Sequence, residues 1–174
     1  MRIFSFLLLI AALAVACAQA DTSYEAELME WQTRYKAAPE DTAVTRQFAQ
    51  LLFKAATAHP EDSISPFRQL QSALLLRSLP GEELEAVVAM QKVRNRWPDH
   101  EIAAEALFQE AYTWDEFIGN KDEAKKNYDA FIKRFPTHPR SATAKELLFL
   151  LENNSNLLDV IDSWKQTSNT PEQE

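Results

Sequence analysis

The amino-acid sequence predicts an all-α fold, a stack of about four antiparallel helix hairpins with a 38-residue period. Three observations carry this. Prolines at positions 60, 98 and 136 stand 38 residues apart. The segments 61–98 and 99–136 align without a gap, so that Ala73 falls on Ala111, Gly81 on Gly119, Ala86 on Ala124, Arg96 on Arg134 and Trp97 on Phe135. The chain has only two glycines, and both fall in one column of that alignment, which leaves little for the tight turns that join strands. Between these marks apolar residues recur at three- and four-residue spacing, the period of a helix with one buried face.

The first twenty residues stand apart from the fold. Met1-Arg2 precede an uncharged apolar run from Ile3 to Ala16, followed by small residues and Asp21. A charged start, an apolar middle and a small-residue exit make a secretory signal peptide, and the run is too short for a comfortable membrane span. Two ends of this signal compete. Ala18-Gln19-Ala20 fits the small-x-small rule and gives a mature chain from Asp21, whereas Leu13-Ala14-Val15-Ala16-Cys17 resembles the bacterial lipobox, with the signal ending at residue 16 and Cys17 as the lipidated residue. The expectation is an exported protein of the periplasm, either soluble or anchored to the outer membrane through Cys17. A diacylated thiol supplies the two chains that stable anchoring needs. Cys17 is the only cysteine of the chain, so no intramolecular disulfide is expected.

The repeat domain is expected over 21–166. Its first pair is Tyr24 to Ala37 and Thr42 to Ala58, separated by Pro39-Glu40-Asp41, with Leu28, Trp31 and Tyr35 facing Phe48, Leu52 and Ala55. The next hairpin runs through Leu76, Gly81, Ala86, Met90, Val93 and Trp97. In the third, Leu107, Ala111, Trp114 and Ile118 form the stripe of the first helix. Gly119 supplies a residue that accepts positive φ, and Asn120 caps the second helix with Asp122 and Glu123 in its first turn, where the helix dipole favours acids. Ala124, Tyr128, Phe131 and Phe135 make the inner face of that second helix. Pro136 lacks an N–H and disfavours helical geometry at Phe135, so the pair ends there. A last pair is expected over Ala142 to Leu151 and Leu157 to Trp164, and the polar end, 167–174, is expected to be disordered. One hairpin cannot bury its stripe alone, but stacked hairpins bury a continuous core.

Charge narrows the function. With 18 Lys+Arg against 26 Asp+Glu the formal net charge is -8, which repels nucleic acid and anionic headgroups. The histidines, His59, His100 and His138, all lie beside the inter-repeat prolines, and turn or capping roles account for them. Hairpins stacked about 10 Å apart hold such residues too far apart to share an ion without further ligands. No metal site, cofactor or catalytic residue is expected, because no nucleophile elbow or phosphate loop is present.

The segment AEALFQEAYTWDEFIGNKDEAKKNYDAFIKRFPTHPRSATAKELL resembles the tetratricopeptide repeat of bacterial envelope lipoproteins. Ala111 at the helix crossing, Gly119, Ala124, Tyr128, Phe131 and Phe135-Pro136 carry the resemblance, which extends over about residues 60 to 151. The period exceeds the 34 residues of that repeat by four, and Pro80 precedes Gly81 in the first block. The resemblance implies a right-handed superhelix and a non-catalytic scaffold or adaptor that offers a concave groove to a peptide or helix of another protein. The alternative is an accessory lipoprotein packed inside an envelope assembly or homo-oligomer. First helices line the groove in this family. A second stripe on them, Glu105, Phe108, Tyr112 and Asp115, with Phe67, Leu70, Leu74 and Arg77 one repeat earlier, is therefore the candidate partner-binding surface. The same apolar residues also suit inter-helix packing.

Overall fold

The structure, a computed structural model, describes residues 24–153. Every regular element among them is a helix. Helix α1 covers 24–37, α2 Thr42–Ala58, α3 Ser65–Arg77, α4 Glu83–Arg96, α5 Ile102–Tyr112, α6 Lys121–Arg134 and α7 Ser141–Glu152. The expected export signal with Cys17, the expected helix at 157–164 and the polar end expected to be disordered lie outside the described residues.

The helix ends follow from local chemistry. Asp41 caps α2, its Oδ1 accepting from the amides of Ala43 and Val44 at 2.9 and 3.1 Å. Pro66 sits in the first turn of α3, where a missing N–H costs nothing. Asn120 caps α6 through Oδ1, which accepts from Glu123 N–H at 3.2 Å. Gly119 ends the preceding helix at φ 75° and Gly81 adopts φ 83°, the left-handed region in which a Cβ is unfavourable.

The three inter-repeat turns share one hydrogen-bond scheme. Asp62, His100 and His138 donate their amides to the carbonyls of His59, Trp97 and Phe135 at 3.1–3.2 Å. Ser65, Ala103 and Ser141 in turn donate to the carbonyls of Asp62, His100 and His138 at 2.8–2.9 Å. Both His100 and His138 accept through Nδ1 the amide two residues on, at 3.1 Å from Ile102 and 3.2 Å from Arg140. Both histidines thus sit in the inter-repeat turns, with Nδ1 satisfying an amide at the entry to the next helix.

One feature departs from the expected regular helix. After Tyr112 the chain continues as a π-helical stretch, Thr113–Ile118. A π turn takes up an extra residue without breaking the helix. It leaves Asp115 buried, with its carboxylate 2.6 Å from Lys121 Nζ.

Among the described residues contacts gather into two compact units that divide between Ala89 and Met90, within α4. In the first, Leu28, Phe48, Ala49, Leu51, Leu52, Ala55 and Leu75 form a core that Tyr24, Trp31, Tyr35 and Leu76 border. Tyr35 and Phe48 join α1 to α2 with ring centroids 5.7 Å apart, and Ser72 Oγ donates to the Ala49 carbonyl at 2.8 Å to join α3 to α2. In the second unit, Ala104, Leu107, Phe108 and Ala111 of α5 meet Ala124, Tyr128 and Phe131 of α6 and Ala144 of α7. Alanines at these crossings let the helix axes approach closely, so that aromatic rings fill the space above and below.

Candidate functional site

The eight residues of the second stripe divide between the two units. In the first unit Phe67 is 40% exposed, Leu74 and Arg77 are half-buried, and Leu70 is 4% exposed. Leu70 therefore contributes packing rather than a contact surface.

Phe67 lines a cleft of about 220 Å³ between α1 and α3. Leu28, Phe48 and Leu52, all buried in the core, underlie it. Met29, Ile64 and Phe67 wall it, and Glu25, Gln32, Arg68 and Gln71 complete the lining. Met29, at 69% exposure, and Phe67 are 38 residues apart, so two successive first helices present an apolar side chain from the same repeat position. Arg68 and Glu25 form an ion pair across the cleft from α3 to α1. The repeat period pointed to Met29 once Phe67 was chosen, but the upstream pair shows too weak a match to the repeat for that register to be evident.

In the second unit the stripe is mostly closed. Phe108 is 4% exposed, edge-on to Tyr128 and Phe131 at 6.0 and 5.5 Å. Arg140 covers its face, with Cζ 4.8 Å from the ring centroid. The same Arg140 donates through Nε to Glu105 Oε2 at 2.8 Å, and Gln109 Nε2 donates to Glu105 Oε1 at 2.8 Å. Asp115 is held by Lys121, as described. Tyr112 is left half-open, edge-on to the exposed Phe117 at 6.0 Å. The stripe in this unit is chiefly a packing and ion-pair network.

A buried acid escaped the reading of the sequence. Glu110 is 1% exposed, accepts from Gln91 Nε2 at 2.7 Å and lies 3.0 Å from Arg94 Nη2. Burial pushes its carboxyl above the usual carboxylate range, partly offset by Gln91 and Arg94. Its place three residues after Leu107 and four before Trp114 put it beside the core stripe, and that spacing was the available signal. The cluster joins α4 to α5 as a packing element with a perturbed acid. Burial, together with the nearby Asp115 and Glu116 charges, likewise holds the Tyr128 hydroxyl protonated well beyond its ordinary range. Among the described residues no group of three His, Cys, Asp or Glu side chains is placed to hold a metal ion, and no helix is long and apolar enough to cross a membrane.

Comparison with known proteins agrees with this geometry. No curated protein matches the chain. The segment from Glu105 on α5 to His138 beyond α6 matches the family model of the tetratricopeptide repeat, residues 105–138, so the chain carries a tetratricopeptide repeat within an all-helical repeat fold.

Proposed function

We propose that this protein is a non-catalytic scaffold or adaptor of the bacterial cell envelope, exported by its N-terminal signal and binding a segment of another protein. Tetratricopeptide repeats generally mediate protein–protein interaction, and stacked hairpins build extended binding surfaces from their repeated first helices. The observation that carries the reading is the repeated placement of exposed apolar side chains, Met29 and Phe67, on α1 and α3. A monomer gains nothing in stability from leaving such residues beside a cleft, whereas an interface uses them as anchors. The envelope location rests on the sequence of residues 1–20, and anchoring rests on Cys17.

The test is expression with the native signal, followed by intact-mass measurement and crosslinked pull-down from the envelope. Acylated Cys17 with a stoichiometric partner is the expected result for an anchored adaptor. A mass beginning at Asp21 removes the anchor. A chain that is neither exported nor captured with any protein overturns the reading.

A further inference from the structure

We propose that the α1–α3 cleft is the partner site and that it takes a polypeptide segment with one large apolar anchor residue flanked by basic residues. The inference rests on the scaffold reading and specifies the chemistry of the partner.

The size of the cleft sets the first term. At about 220 Å³ it falls below the ~300–1,000 Å³ of sites that enclose a whole small molecule. It suits one large side chain, which would rest over Leu28, Phe48 and Leu52. Met29 and Phe67 stand on either side, on α1 and α3. The unbranched thioether of Met29 adapts to differently shaped anchors, and Phe67 offers a ring for the anchor to pack against.

The polar lining sets the second term. Gln32 on α1 and Gln71 on α3 are exposed, and each carboxamide carries both donors and an acceptor. A peptide backbone alternates the same two functions, whereas an acyl chain has neither. The lining therefore favours a polypeptide over a lipid tail.

The charge sets the third. Arg68 is the one cation among the lining residues; its side chain is 13% exposed and is paired with Glu25, whose side chain is 59% exposed. Within that pair the carboxylate is the more solvent-exposed partner. The formal net charge of -8 acts in the same sense at longer range. A basic flank on the partner complements both.

The probe is a panel of short fluorescent peptides, each with a central Leu, Phe or Trp flanked by lysine and arginine, by serine or by glutamate. Binding to the full chain is read by anisotropy. The basic-flanked peptides are expected to bind at least about tenfold more tightly than the glutamate-flanked ones, with the difference shrinking as salt is raised. Met29→Ser and Phe67→Ser each weaken binding, while Phe149→Ser, at an exposed apolar residue of the other unit, leaves it unchanged. Glu25→Gln reduces the preference for basic flanks but retains the need for an apolar anchor. Thermal unfolding of each variant shows that the fold is kept; Met29 is so exposed that its variant serves even if Phe67→Ser is poorly folded.

The cleft assignment is overturned if no peptide binds, if binding ignores the flanking charge, or if it survives both serine substitutions. A partner captured in the envelope pull-down whose binding is lost at Tyr112 or Phe117 instead of Met29 or Phe67 also overturns it, yet leaves the scaffold reading standing. Failure of the pull-down itself tests that reading separately.

Discussion

The first helices of the two units place different chemistry at one repeat position. On α1 and α3 it is Met29 and Phe67, both exposed beside a cleft; on α5 it is Glu105, held by Arg140 and Gln109. Nearby, Leu70 and Phe108 share another repeat position and both are buried, so the backbone scheme and its core are alike. What differs is the cover. In the second unit Arg140, at the start of α7, reaches back over Phe108 and Glu105. In the first, Ile64 stands two repeat periods before Arg140, and a differently placed pair, Arg68 with Glu25, spans a cleft without filling it. A repeat can thus conserve its packing while one long cation decides whether its outer face is open.

The largest effect expected on this comparison is from truncation in the cores. Phe131→Ala in the second unit and Phe48→Ala in the first, both buried, should each cost about 3–5 kcal/mol in denaturant unfolding. Hydrogen exchange should show the greater loss of protection in the unit that carries the change. Equal loss across 24–153 from either substitution would break the division into two units.

Next come the two glycines. Gly81→Ala and Gly119→Ala meet no atom within 4 Å of the added Cβ, so each should cost only the left-handed backbone penalty, about 1–2 kcal/mol. Clearly unequal costs would show that the two turns are less alike than their dihedral angles.

A third effect belongs to the second unit and to one pH window. Because the folded carboxyl of Glu110 titrates above its ordinary 4.5, the stability of its protonated form is fully present below pH 4.5 and is lost as pH rises through the folded value. In that window the native state holds a proton that the unfolded chain has released, so stability falls with rising pH, by at most about 1.4 kcal/mol per pH unit. Glu110→Gln should remove this contribution from a stability-against-pH curve. An unchanged slope would assign the pH dependence elsewhere.

The smallest effect is at the open face. Met29→Ser should change stability by under about 0.5 kcal/mol, since the side chain is 69% exposed. A large loss would mean that Met29 belongs to the core and would remove the contrast with Glu105.

Much of the fold was legible because its boundaries are chemical. The prolines, Asp41, Asn120 and the two glycines mark ends that the structure reproduces, and the histidines fall in the turns that the prolines mark. The π-helical stretch was not legible: TWDEFI contains neither proline nor glycine, and the widened turn is tied to tertiary features such as the buried Asp115. The candidate site was legible only in part. Periodicity placed Phe67, Leu70, Phe108 and Asp115 on a stripe beside the core, but helical spacing does not say which part of a stripe a neighbour covers. Phe108 is closed by Arg140, 32 positions later in the chain, and no pattern within α5 announces that.

The three matching inter-repeat turns have a consequence for how such a chain can change length. Because Pro60, Pro98 and Pro136 occupy the same place in turns with the same pair of backbone hydrogen bonds, a splice that joins residue 60 directly to residue 99 recreates a joint already in use. Arrays of this kind can gain or lose an entire hairpin without devising a new junction, and adjustments shorter than a hairpin must be absorbed inside one, where the widened helical turn before Gly119 shows one such accommodation.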